Sequence, residues 1–141
     1  MTARSTTISR ATARPRSLEA VVACGEAHGN VDAYLREFLD EFYSEPDAQQ
    51  RAGMLAHEPP LKETPVTLNA YLAAVAEHLC FRYHLPVPAW TQAPERFLKS
   101  PFFPAGLDSL KAILLVESPT AFRRRMIFVG ADPLYRPRRT D

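Results

Sequence analysis

The stretch NVDAYLREFLDEFY, residues 30–43, decides the fold class. Val31, Tyr34, Leu35, Phe38, Leu39, Phe42 and Tyr43 recur at steps of three and four, while Arg36, Glu37, Asp40 and Glu41 take the other positions. That spacing predicts an amphipathic helix with a wide aromatic stripe. Asn30 is a favoured N-cap, because its side-chain oxygen can accept from an amide of the first turn. Glu45-Pro46 marks the stop.

A second strong helix is expected over 68–84, capped by Thr67 and carrying Leu68, Tyr71, Leu72, Val75, Leu79 and Tyr83. Ala70, Ala73, Ala74 and Ala76 favour helix and permit close approach of a neighbour. Upstream, Ser17 caps a short helix to about Ala23, with Gly25 and Gly29 interrupting it. A further helix runs to about His57, with Ser44 as its cap and Asp47 in its first turn. Its face of Ala48, Arg51, Ala52 and Leu55 is thin. Pro59, Pro60 and Pro65 make 58–67 a loop, since proline lacks an amide donor and disfavours helix before it.

The texture changes after Leu85. Trp90, Phe97, Phe102 and Phe103 fall among Pro94, Pro101 and Pro104. Each aromatic can bury about 150–250 Å², so this segment is expected to fold back as a strap over the two strong helices. A helix follows at 107–117. Ser118-Pro119 then begins a short helix bearing Ala121, Phe122 and Arg123-Arg124-Arg125. Met126 to Val129 fits either the end of that helix or a small strand. The expected fold is therefore all-α or mainly α: a compact bundle of five to six short helices with an aromatic, proline-rich segment packed on it. Residues 1–16 read as a disordered basic tail, 17–132 as a single helical domain and 133–141 as a flexible tail.

The 141 residues suffice for one real core. Five glycines are few for an all-β chain. The net charge of +1 is segregated. Residues 1–16 carry four arginines and no acid, 17–66 three basic against ten acidic groups, and 123–141 six arginines against two aspartates. Cys24 and Cys80, in no metal-binding spacing, read as reduced thiols of a cytoplasmic protein. No apolar run approaches the ~20 residues of a membrane helix. The N-terminus has no secretion-type apolar centre.

No motif specifies a reaction. The chain has no glycine-rich phosphate loop, HExxH or GxSxG. Cys80 and His84, four apart on one helix, could supply two metal ligands or a thiolate and base, but two ligands do not make a site. Glu37, Glu41 and Glu45 form a row that could meet a basic partner or could simply face solvent. The three consecutive arginines fan around a helix, so they cannot all face one phosphate. One is expected to lie along the core and pair with an acid such as Glu117, leaving the others for a carboxylate or phosphate.

Taken together, HLPVPAWT (84–91), PERFL (94–98), PFFP (101–104) and VESPTAFRRRMIFVGADPL (116–134) resemble an uncharacterised group of actinobacterial small proteins and C-terminal domains. The resemblance implies short helices and a regulatory or antitoxin-type partner of a nucleotidyltransferase toxin. It carries over no catalytic residue. The helix-turn-helix that some members bear has no counterpart in the arginine-bearing residues 1–16.

The expected function is a non-enzymatic protein-interaction module without cofactor or metal, an antitoxin-like or regulatory partner of another protein encoded in the same operon. Arg123, Arg124, Arg125, Glu37, Glu41 and Trp90 are its candidate contact residues. One alternative is a nucleic-acid-binding regulator using the arginine-rich ends, weakly and with strong salt dependence. The other is a small enzyme or metal protein using Cys80 and His84.

Overall fold

The computed structural model describes residues 14–63, 65–104 and 111–137, with the side chains of 111–113 excepted. Among these residues the chain is mainly helical, with six α-helices, two short 3-10 turns and no strand. It divides into two compact units, Met1–His57 and Glu58–Asp141.

The first unit holds α1 (Leu18–His28), α2 (Val31–Ser44) and α3 (Ala48–Ala56). Ser17 Oγ accepts from Ala20 N–H and starts α1, which buries Leu18, Val21 and Val22. Gly25 does not interrupt this helix. It lies inside it, and a Cβ there would stand 2.9 Å from Val31 Cβ and 3.0 Å from Val31 Cα. The missing side chain is what lets α1 and α2 pack closely. The stop comes at Gly29, left-handed at φ 83°, which is the glycine C-terminal signal. Asn30 Oδ1 then accepts from Ala33 N–H, and α2 buries Leu35, Phe38, Leu39 and Phe42.

The cap of α3 is Asp47, whose Oδ2 accepts from Gln50 N–H. Ser44 instead turns back to donate to the Asp40 carbonyl at 2.8 Å. Met54 joins Leu55 as a buried residue of α3. Arg51 donates to the Phe42 and Tyr43 carbonyls at the end of α2 and lies over the Phe42 ring. A cation on a helix's last carbonyls is favourable, so one side chain joins the two helices.

The second unit is built on α4 (Val66–Tyr83). It starts at Val66 after Pro65, before the expected Thr67 cap, and no side chain caps it. Ten of its residues are buried, Asn69, His78 and Cys80 among them. A helix buried around most of its circumference is a core helix, and its alanines let neighbours approach. Its end at His84 is left-handed at φ 57°.

Two 3-10 turns, Ala89–Gln92 and Pro94–Arg96, pack on α4, as does α6 (Thr120–Arg123). Phe122 of α6 is fully buried against the rings of Tyr71 and His78. Between them comes α5 (Lys111–Glu117). Ser118 is buried where α5 ends. Its hydroxyl lies within hydrogen-bond distance of the Leu114 and Val129 carbonyls and accepts from Val129 N–H.

Met126 to Val129 is neither helix nor full strand. Met126 turns left-handed at φ 66°, and Ile127 then forms one parallel bridge with Phe102. Phe102 N–H donates to Met126 O, and Phe128 N–H donates to Phe102 O. A left-handed non-glycine residue costs about 1 kcal/mol or more. That turn stops α6 and aims Ile127, fully buried, inward.

The expected tails are only partly visible. Residues 1–13 and 138–141 lie outside the described residues. Arg14 and Arg16 are described and ion-paired, and Leu134 is buried. Among the described residues no helix is long and apolar enough to cross a membrane.

Two glycines give a paired test of the α1–α2 packing. Gly25→Ala is expected to destabilise the protein by about 1–3 kcal/mol through overpacking. Gly53→Ala, in helix α3 with open space around it, should be neutral or stabilising by up to about 1 kcal/mol. Urea unfolding of both variants checks this.

His78 supplies a second test. Its Nε2 is buried and has no hydrogen-bond partner among the described residues. Burial, helped by the Arg82 charge and opposed by Asp132, lowers its pKa below the ordinary histidine value of 6.5. The unfolded chain therefore takes up a proton near pH 6.5 that the folded chain resists. The His78 contribution is complete above that pH and is lost as pH falls below it through the folded value. Melting temperature should drop between pH ~7.5 and ~5.5, and His78→Leu should flatten that drop.

Candidate interaction site

The strap between Pro88 and Phe97 is short and proline-limited, so it has few ladder hydrogen bonds with which to fix itself to α4. Two arginines fix it instead, and both are 0% exposed. Arg96 donates to the Asn69 and Pro59 carbonyls and to Glu58 Oε2 at 3.1 Å. Its guanidinium lies 4.9 Å from the centre of the Trp90 ring. One side chain thus joins the strap to the loop before α4 and to the first turns of α4 itself. Asn69 adds a second tie, accepting from Lys62 N–H and donating to Lys62 O, each at 2.7 Å.

Arg125 does the same at the other end. Its Nη1 stands 2.7 Å from Glu77 Oε1 and donates to Ala121 O, while its Nη2 donates to Thr91 O. Arg124 donates to both Glu77 oxygens at 2.8 Å and to Gln92 Oε1 at 3.1 Å. Gln92 in turn donates to Glu77. One carboxylate of α4 therefore collects two arginines of the chain end and one amide of the strap.

Burial alone would raise the Glu77 pKa. Hydrogen bonds from Arg125, Gln92 and Arg124, with the Arg125 charge, outweigh it and leave the carboxyl below its ordinary value. Burial pulls Arg125 and Arg96 below the usual arginine value, against the pull of Glu77 and Glu58. Such charges are tolerable inside only because they are paired and hydrogen-bonded.

Phe97 takes its place from this cluster. Arg125 and Arg124 lie 4.4 and 5.1 Å from its ring centre. Phe97 also lines a groove of about 660 Å³. One wall is Leu61, Lys62, Val66, Thr67 and Asn69, and the other runs from Pro94 to Phe102. The volume falls within the ~300–1,000 Å³ common for ligand and docking sites. Lining groups are mostly apolar, with Lys62, Lys99 and Glu95 among them.

The candidate contact residues fall into three groups. Arg125 and Trp90 are buried and structural in geometry. Arg124 is half-exposed and held by Glu77. Arg123 is exposed, reaching the Ser118 carbonyl at 3.1 Å. The core arginine is thus Arg125, and its acid is Glu77 rather than Glu117. In the first unit, Glu41 pairs with Arg16 at 2.8 Å and with Arg14 at 3.6 Å, and Arg16 also holds Glu45 at 2.9 Å. The Asp47 amide and Arg16 lower the Glu45 pKa. Glu37 is half-buried on α2.

Cys80 and His84 are not brought into one site. The Cys80 thiol is buried and donates to Pro86 O at 3.4 Å, and burial pushes its pKa up to about 11. A thiol so raised stays protonated at neutral pH and is a poor nucleophile or ligand. His84 sits in the left-handed residue past the helix end and is exposed.

Sequence reading missed Glu77, Arg96 and the groove. One signal was present for Glu77, the only acid between Glu63 and Glu95. For Arg96 it was the position between Trp90 and Phe97. The groove had none, because its walls lie far apart in the chain. The chain matches no protein-family model, no curated protein and no solved structure.

Arg96→Ala is expected to cost about 3 kcal/mol, since it strands buried carbonyls and half of an ion pair. Arg123→Ala, at an exposed position, should change stability by no more than about 0.5 kcal/mol. Thermal and denaturant melts of the two variants separate these roles.

Proposed function

We propose that this protein is a non-enzymatic interaction module whose partner is another protein, a regulatory or antitoxin-like role within its operon. One observation carries this reading. Among the described residues of 58–137, Arg96 and Arg125 turn inward as ties, while several large apolar side chains face outward. Phe81 is 79% exposed and Val116 77%, and Tyr135, Val66, Val87, Leu61 and Leu115 are exposed as well. Exposed apolar area beyond scattered single residues commonly marks an interaction surface.

The groups that a catalytic reading would need are otherwise occupied. Cys80 holds its proton, Glu77 is saturated by Arg125, Arg124 and Gln92, and Arg125 is withdrawn from solvent. Of the three consecutive arginines only Arg123 and Arg124 can reach a phosphate, which weakens the nucleic-acid reading. The sequence blocks 84–91 and 116–134, which resemble an uncharacterised group with some regulatory- or antitoxin-type members, overlap the strap and include the arginine-bearing end.

Co-expression with the product of the adjacent gene tests the reading. The expected result is a complex that co-purifies through size exclusion and alters that product's activity. A protein that elutes alone and leaves the neighbour's activity unchanged contradicts it.

A further inference from the structure

We propose that residues 85–89 are a polyproline-II ligand, presented to an aromatic-lined groove on the partner protein. This rests on the interaction reading above and names its contact surface.

The segment takes its backbone from its prolines. Leu85-Pro86-Val87-Pro88 lies between the end of α4 and the first 3-10 turn, in neither helix nor strand. Each proline ring fixes its own φ at about −65°, and each disfavours helix in the residue before it. Pro88 stands at φ −65° and ψ 142°, which is polyproline-II backbone. That helix repeats every three residues, and the burial follows the repeat. Leu85 and Pro88 share a half-buried row. Pro86 and Ala89 share an exposed row, and Val87, on the third row, is 47% exposed. One row rests against the fold and two face outward.

Buried groups hold the segment in shape. Leu85 N–H donates to the Cys80 carbonyl at 2.8 Å. The Cys80 thiol donates to Pro86 O at 3.4 Å. Thr91 donates to Pro88 O from its N–H at 3.2 Å and from its hydroxyl at 2.8 Å. Cys80 and Thr91 are both buried. A polyproline-II segment that is already fixed loses little entropy when it is bound.

Its chemistry narrows the kind of partner. Residues 85–91 contain no charged side chain, so no ion pair directs docking there. Pro86 and Pro88 have no amide, so an added β-strand would find no row of donors to pair with. What remains is two apolar rows and the Val87 carbonyl, which makes no hydrogen bond among the described residues. Aromatic rings pack against such rows, and an indole N–H or phenol O–H among them donates to the carbonyl between.

Affinity of the full chain for the product of the adjacent gene tests the proposal. Val87→Asp is expected to weaken the complex at least about tenfold, with the melting temperature of the free protein kept, since the position is exposed. Pro86→Ala should weaken it as well. Val116→Asp, at a position 77% exposed on α5, should bind as the parent does. Added poly-L-proline, the probe for a polyproline-II groove, should displace the protein from its partner.

A complex indifferent to Val87→Asp or Pro86→Ala, one that loses as much on Val116→Asp, or one that poly-L-proline leaves intact would overturn the proposal. In each of those cases a complex still forms, so the interaction reading stands. Failure to form any partner complex removes the interaction reading itself, and this proposal with it.

Discussion

The second unit depends on one buried ion pair, Arg125 with Glu77. A guanidinium with no exposure has lost its water, a penalty of several kcal/mol that only close partners offset. Glu77, the Ala121 carbonyl and the Thr91 carbonyl supply them. Because those partners belong to α4, α6 and the strap, satisfying one side chain fixes three segments at once. The strap could not fix itself, since its prolines deny it a regular hydrogen-bond ladder. Arg96 repeats the device towards the loop before α4, and Phe97 is positioned between the two ties.

The same arrangement decides what is left for function. Charge drawn inward does not contact a partner, so Arg96 and Arg125 serve the fold rather than a contact. Beside its exposed charges the unit presents apolar surface: single exposed residues such as Phe81 and Val116, and the groove lined in part by Phe97. In the first unit, Arg16 meets Glu41 and Glu45, so the acidic helix is partly neutralised by the chain's own basic residues. Charge segregation along the sequence thus becomes local pairing.

Much of the helical fold was legible because it is local. The stripe from Val31 to Tyr43 and the Asn30 cap are set by spacing within one helix, and α2 begins where that spacing predicts. Gly25 was misread because its meaning is tertiary: only the approach of Val31 shows why no side chain fits there. That one of the three arginines must turn inward followed from helical geometry. Its partner did not, because Glu77 lies 48 positions before Arg125 and no local rule links them. Met126 to Val129 was undecidable for a similar reason. A left-handed turn and one bridge to Phe102 are chosen by the distant strand-like neighbour, not by propensity. The groove is the extreme case, a surface made wholly by the meeting of 61–69 with 94–102.

A double-mutant cycle on Glu77→Gln and Arg125→Met, read by urea unfolding of the full chain, tests the central claim most directly. If the pair organises the second unit, each single substitution costs about 2–4 kcal/mol and the coupling energy is at least about 1.5 kcal/mol. An Arg125→Met variant losing less than about 0.5 kcal/mol, as an exposed residue would, with coupling near zero, contradicts it.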